Sequence, residues 1–261
     1  RPLKSILAIF DKKKLSFEFH HLTSSNSTFI DKEFEEKRKI FSSFKEYNNF
    51  FKKLNIIIDQ NQRKILIEKK FNEISKKKNI KIENNNKLID EVVDLTDKPD
   101  VIICEFDKKF LNIPKEILII TMKNHQKYFP TFDQKDNLTN IFLVVTNNQD
   151  KKGYIKLGNE RVVEARLRDA DFFWQKDKSQ NLVKRVSKLK SMNYFEGLGT
   201  YFDKAQRLRK LGGMLSDNLI ISKEKVELSA SLSKVDLVSD LVGEFPELQG
   251  VVGGYFANAQ G

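Results

Sequence analysis

Apolar residues recur along this chain in two different registers. Residues 3–10 are mostly apolar, a polar turn follows at Asp11 to Lys14, and Leu15, Phe17 and Phe19 then alternate with polar neighbours. The pair predicts a β-hairpin. Residues 23–28 read as a polar loop. Residues 32–54 are charged, with Phe34, Ile40, Phe41, Phe44 and Tyr47 among them, which predicts one or two helices. Residues 55–59 read as a short buried strand, and 60–78 as a helix with Ile67, Phe71 and Ile74 on one face. Asn84, Asn85 and Asn86 mark a loop before a short helix over 87–95. A strand is predicted over 101–106. Pro114 in a first turn beside Glu116 predicts a helix that runs to about Asn124. A strand follows from about Tyr128, then a turn near Asp136 and Asn137, then a strand over 141–146.

From residue 153 the pattern becomes wholly helical. Val163, Leu167, Ala170 and Trp174 form an apolar stripe behind an expected cap at Asn159, and Glu164 with Arg168 makes an i,i+4 structural ion pair. Residues 182–189 continue helically. Gly197 to Thr200 breaks the chain before a helix over 201–215. Ser222 caps a further helix whose broad apolar face is Leu228, Leu232, Val235, Leu237, Val238 and Leu241. It ends at Gly243 to Pro246, and another begins over 247–257. Strands mixed with helices in no strict alternation predict an α+β fold. The expected domains are a mixed α/β region over 1–152, linking helices over 153–195 and the start of a helical domain over 196–261.

Composition changes this picture in one direction. The 261 residues include 47 Lys and Arg against 36 Asp and Glu, a net charge of +11. That excess favours a polyanionic partner, nucleic acid before a membrane surface. Its competing explanation is compositional, since Lys, Ile, Asn and Phe are abundant throughout. Cys104 is the single cysteine, so an internal disulfide and a cysteine-based zinc site are excluded. It lies in the apolar run Val101 to Cys104, which predicts a buried inert thiol. The usage fits a reducing cytoplasm. No apolar segment reaches the roughly 20 residues that span a bilayer. The chain begins at Arg1 without Met and is expected to be a fragment of a longer protein.

Standard catalytic and phosphate-cradling motifs are absent. His20 and His21 follow a strand, where a surface or turn role is expected. Lys123, His125, Lys127 and Tyr128 interleave basic groups with a stacking aromatic, a pattern that can grip RNA. The alternative is a helix C-terminus that favours cations. Lys204, Arg207, Arg209 and Lys210 share a helix with only Asp203 against them, and form a second phosphate candidate. Arg161, Arg166 and Arg168 are balanced by Glu160, Glu164, Asp169 and Asp171, which favours structural ion pairs. Asp236 amid apolar residues needs a partner, for which Lys234 and Lys204 are candidates.

Several blocks then appear in a telling order. They are Ile113-Pro114-Lys115-Glu116, Gln126-Lys127-Tyr128-Phe129-Pro130, Gly158-Asn159-Glu160-Arg161-Val162, Ala165-Arg166-Leu167, Leu198-Gly199-Thr200 and Val242-Gly243-Glu244-Phe245-Pro246-Glu247-Leu248-Gln249-Gly250. The chain resembles the β subunits of bacterial heterotetrameric glycyl-tRNA synthetases, most specifically over 98–261. The resemblance implies an α2β2 ligase that joins glycine to tRNA(Gly) with ATP and Mg at the α subunit, and no cofactor or catalytic residue in this chain. It implies a first region similar to the editing-type domain of the phenylalanyl enzyme's β subunit and an all-helical HD-like domain, incomplete here. Two departures stand out. Where the family tends to show Thr-x-Gly-His-Arg-Phe, this chain reads Ser24-Ser25-Asn26-Ser27-Thr28-Phe29, and where an HD phosphohydrolase places His-Asp it reads Val235-Asp236. Alternatives are a metal-dependent HD-type phosphohydrolase with a cation near Asp236, and a scaffold that mainly binds the α subunit.

Overall fold

The computed structural model describes residues 3–30, 37–83, 85–217, 219 and 221–261, with the backbone alone for His125. The fold is α+β, with helices and several small sheets. Two compact units divide the chain. One comprises Arg1–Lys69, Ile89–Asp100 and Thr146–Asn148; the other comprises Lys70–Leu88, Val101–Val145 and Gln149–Gly261.

The first unit opens with short strands β1 (Ile6–Leu7), β2 (Ile9–Phe10), β3 (Lys13–Lys14), β4 (Glu18–Phe19), β5 (Leu22–Ser25), β6 (Ser27–Phe29) and β7 (Arg38–Ile40). The expected hairpin is β2–β3, closed by Asp11 and Lys12, both at positive φ. This is the backbone a two-residue hairpin turn requires. The longer alternating strand is not formed: only Glu18 and Phe19 pair, because the Phe17 N–H donates to Ser24 Oγ at 2.9 Å. His20 and His21 form the turn that joins β4 to β5, as expected. The expected polar loop over 23–28 is instead strand. Ser24 is buried and donates to the Leu15 carbonyl at 2.7 Å, while β1 pairs β5 in parallel. Polar side chains fit a strand when their hydroxyls are satisfied in this way.

Of the helix expected over 32–54, residues 32–36, Phe34 among them, lie outside the described residues. Residues 38–40 form β7 instead, and helix α1 (Phe44–Lys53) follows. Its cap is Ser43, which accepts from the Glu46 N–H, and Glu46 reaches back to the Ser42 N–H at 3.0 Å. Phe41 packs edge-on against Tyr47 and Phe50, with ring centres 5.2 and 5.6 Å apart. Helices α2 (Gln60–Lys78) and α3 (Asn86–Leu95) match the reading. The buried strand expected over 55–59 is absent. Arg63 takes the Ile57 and Ile58 carbonyls at 2.7 and 2.9 Å and the Val93 carbonyl at 3.1 Å, so a buried guanidinium does the work a sheet neighbour would do.

In the second unit β8 (Lys81–Ile82), β9 (Asp100–Glu105), β10 (Phe129–Phe132) and β11 (Leu138–Thr146) form a sheet in the order β8-β10-β11-β9. Helix α4 (Lys115–Ile120) follows Pro114 and loosens into a π turn over Thr121–His125. There the Thr121 hydroxyl donates back to the Ile117 carbonyl at 2.8 Å, a bond known to distort helices. Helix α5 (Tyr154–Lys178) begins before the expected cap. Asp150 accepts from the Ile155 and Lys156 N–H groups at 3.2 and 2.7 Å, and these bonds hold its carboxyl below the usual range. Asn159 lies inside the helix, where it accepts the Tyr128 hydroxyl at 2.5 Å. The stripe Val163, Leu167, Ala170 and Trp174 is buried as expected, and Trp174 stacks on Phe256 at 5.3 Å. One contiguous core runs from Cys104 through this stripe to Phe256.

After α5 come α6 (Leu182–Arg185), a 3-10 turn over Val186–Ser191, β12 (Asn193–Phe195) and β13 (Gly199–Thr200). The β12–β13 hairpin corrects the wholly helical expectation. Helices α7 (Tyr201–Ser216) and α8 (Lys223–Leu232) then pack as a pair. The helix expected to run from Ser222 to Leu241 stops at Leu232. A 3-10 turn over Val235–Val238 and helix α9 (Asp240–Glu244) replace its second half, with Ser239 Oγ accepting from the Val242 N–H. Leu228 is consequently exposed rather than part of an apolar face. The last expected helix is likewise split, into a 3-10 turn over Pro246–Leu248 and α10 (Val252–Gln260).

The α7–α8 pair rests on a close approach at Gly212. A Cβ placed there would sit 2.8 Å from Val226 Cγ1, inside any real contact, and a β-branched Val cannot swing aside. Gly212→Ala is therefore expected to separate the helices and lower the stability of this pair by about 1–3 kcal/mol, despite the gain in helix propensity. Urea unfolding followed by circular dichroism checks it.

Candidate nucleic-acid interface

A site for a polyanion needs cations that no carboxylate already holds. Several basic side chains of the second unit are held. Lys81 pairs with Asp136 at 2.7 Å, Lys123 with Glu83 at 2.7 Å, Arg166 with Glu244 at 3.5 Å, Lys176 with Asp240 at 2.7 Å and Lys223 with Asp217 at 3.1 Å. The expected Glu164–Arg168 pair forms at 2.7 Å on the surface, worth a few tenths of a kcal/mol.

The first set of expected RNA contacts does not assemble. Lys123 is committed to Glu83. The His125 side chain lies outside the described residues. Lys127 sits at φ 58°, half-buried, where the chain leaves the π turn. Tyr128 is 4% exposed, its ring 5.2 Å from Phe142 and its hydroxyl on Asn159, and burial pushes the phenol up to about 12. A base could stack on it only if the ring left the core.

The second set divides. Arg209 turns toward α8 and pairs with Glu227 at 2.9 Å. Lys210 is exposed. Lys204 and Arg207, three residues apart on one face of α7, meet two cations that sequence reasoning missed. Lys204 Nζ lies 3.8 Å from the centre of the Tyr194 ring on β12. Its hydrogen bond and charge hold the Tyr194 phenol below its ordinary pKa, and the charges of Arg207 and Lys234 push the same way. Lys190, from the 3-10 turn before β12, lies 4.9 Å from the centre of the Phe202 ring. Arg207 and Lys190 both act on Asp203. Among the described residues, no carboxylate lies in salt-bridge range of Lys190, Lys204, Arg207 or Lys234.

Asp203, the acid on which these charges act, is occupied. Asp203 accepts from the Thr200 N–H and hydroxyl, both at 2.8 Å, and Thr200 accepts from the Asp203 N–H, which closes a capping box at the start of α7. Those bonds, ahead of the charges, hold the Asp203 carboxyl below the usual range. Gly199 makes this possible. It stands at φ 78°, and a Cβ there would lie 2.5 Å from Asp203 Oδ2. The hairpin and the start of α7 thus hold two rings, each with a lysine over it, and the charges of Arg207 and Lys234 act on Tyr194. The sequence signal was Asn193 to Thr200 itself: a short aromatic run, two glycines and a capping Thr read as a hairpin entering a helix.

Asp236 is buried and accepts from the Gly250 N–H at 2.5 Å through Oδ2. This corrects the candidate partners Lys234 and Lys204. Among the described residues no group of three or more His, Cys, Asp and Glu is placed to hold a metal ion, so the donor set lends the phosphohydrolase alternative no support. Cys104 is buried, and burial pushes its thiol up to about 12. Among the described residues no helix is long and apolar enough to cross a membrane.

Comparison with known proteins adds the following. A family described as glycyl-tRNA synthetase beta subunit matches residues 1–261. The chain is 38% identical, over 263 residues, to a glycine–tRNA ligase beta subunit of Thermodesulfovibrio yellowstonii, covering all of this chain and 39% of that protein. It is 36% identical over 262 residues to that of Rickettsia conorii, with the same coverage. It is 37% identical over 263 residues to that of Clostridioides difficile, covering all of this chain and 38% of that protein. The chain therefore spans about two fifths of the length of these relatives.

Proposed function

Because the chain belongs to the glycyl-tRNA synthetase beta subunit family, we propose that it serves ATP-dependent glycylation of tRNA(Gly) by binding and positioning the tRNA. The adenylation chemistry, with ATP and Mg, lies on the α subunit of an α2β2 complex in the cytoplasm. This chain contributes no catalytic residue. The resemblance implies an editing-like region over 1–152, linking helices over 153–195 and the start of an HD-like region over 196–261, with one core joining residues from Cys104 to Phe256.

One observation carries the tRNA reading: Lys190, Lys204, Arg207 and Lys234 converge without a carboxylate partner among the described residues, on a surface framed by β12–β13 and α7. Lys and Arg so arranged neutralise phosphates and position RNA by charge and shape. A second reading, a scaffold that mainly holds the α subunit, is favoured by a different observation. Leu211, Met214, Leu215, Leu219 and Ile221, around the end of α7, are each more than half exposed. Large exposed apolar patches mark protein contacts.

Proximity labelling separates the two. Cys104 is buried and poorly ionised, so a cysteine introduced on the surface is this chain's reactive thiol at neutral pH. Arg207→Cys carrying a photo-crosslinker is expected to capture tRNA(Gly), whereas Leu215→Cys is expected to capture protein. Capture of the α subunit and no tRNA from position 207 would refute the tRNA reading.

A further inference from the structure

Resting on that tRNA reading, we propose that Tyr194 and Phe202 are positioning residues that hold the Lys204 and Lys190 ammonium groups for the sugar–phosphate backbone, so that this site takes RNA as a polyanion and not through stacked bases. Each ring carries a cation on its face, Lys204 at 3.8 Å from the Tyr194 centre and Lys190 at 4.9 Å from the Phe202 centre. A base that stacked on either ring would have to displace that ammonium. The rings are themselves fixed. Tyr194 packs edge-on against Tyr201 at 5.3 Å, the Tyr201 N–H donates to the Met192 carbonyl at 2.9 Å, and Phe202 stands in the first turn of α7 behind the capping box.

The hairpin's open aromatic is Phe195, 68% exposed. It follows the bulge between Asn193 and Phe195, and among the described residues no cation lies over its ring. A lysine on its flexible four-carbon stem loses rotamer freedom when it meets a phosphate. An aromatic face attracts the ammonium beforehand and reduces that loss. The arrangement suits paired and unpaired RNA alike, since every nucleotide offers the same phosphate.

The test measures binding of the intact protein to a base-paired RNA hairpin, to oligo(U) and to oligo(A), matched in phosphate number, across a salt series. Tyr194→Phe keeps the ring face but removes the hydroxyl that also meets Lys204, and is expected to weaken all three probes equally and by less than Tyr194→Leu. Tyr194→Leu and Phe202→Leu are each expected to weaken all three probes by the same factor, roughly two- to fivefold, with the salt slope reduced by up to about 1. If Tyr194→Leu does not fold, Phe202→Leu provides the same reading. A loss larger for oligo(A) than for oligo(U), with the slope unchanged, would show base stacking and overturn the proposal. So would no effect of either Leu variant while Lys204→Ala with Arg207→Ala still weakens binding. No effect of the cation variants either would remove the tRNA reading itself.

Discussion

Asp177→Ala is expected to destabilise the second unit by about 3–5 kcal/mol, the cost of breaking a buried ion pair by removing one partner. Asp177 is fully buried at the end of α5. Its Oδ1 accepts from Arg185 NH2 at 2.5 Å and from the Asp240 N–H at 3.3 Å, and its Oδ2 accepts from the Leu241 N–H at 2.8 Å. Truncation leaves the Arg185 guanidinium, 3% exposed, without its counter-charge, although its Nε still reaches Gln180 at 3.2 Å. It also strips the first turn of α9 of an acceptor for two N–H groups, and buried unpaired donors are costly. Asp177→Leu combined with Arg185→Met should recover much of the loss, because replacing both charges removes the desolvation penalty on each side. Urea unfolding of the single and double variants measures it. A loss below about 1 kcal/mol for Asp177→Ala would show that its carboxylate does not hold α5 to α6 and α9.

The second large effect concerns the cation cluster. Replacing Lys190, Lys204, Arg207 and Lys234 together by Ala is expected to lower tRNA affinity on the order of 10²–10³-fold at 0.1 M salt, since each phosphate contact scales affinity as salt to a power of about 0.7–0.9. Two controls give this meaning. Arg209→Ala should change affinity little, because Arg209 already answers Glu227. Removing four charges from α2, at Lys69, Lys76, Lys77 and Lys78, equals the loss of net charge without touching the cluster. A similar drop from that control would assign the effect to overall charge rather than to the site. The four-alanine variant should melt near the native temperature, because none of its side chains bonds a carboxylate among the described residues.

Periodicity explains what could be read in advance. The bounds of α2 and the stripe from Val163 to Trp174 follow from apolar spacing alone, since a helix must bury one face. The same stripe continues to Asp177, a polar residue on a buried face, but its partners lie up to 64 positions away and no local pattern announces them. For that reason the break between α8 and α9 was not legible. Leu228 through Leu241 has helical spacing, and only the distant carboxylate together with Ser239 explains why a new helix starts at Asp240. Residues 55–59 failed similarly, because Arg63 satisfies carbonyls that the apolar run seemed to promise to a sheet.

The candidate site was half legible. Lys204 and Arg207 stand on one helix face and were found by spacing. Lys190 and Lys234 arrive from a 3-10 turn and from two residues past α8, and only the fold brings Lys190 to Phe202 and the charge of Lys234 to bear on Tyr194. Tyr128 misled in the opposite sense. Its basic neighbours suggested a stacking platform, yet Tyr128-Phe129 leads into β10, where the ring packs on Phe142.

The most direct test of the central claim is the salt dependence of tRNA(Gly) binding by the native protein and by the four-alanine variant. Four phosphate contacts predict that the slope of log K against log salt becomes shallower by about 3 in the variant, with the two lines converging at high salt. Parallel lines, with the same slope in both proteins, would contradict it and place the RNA contacts elsewhere.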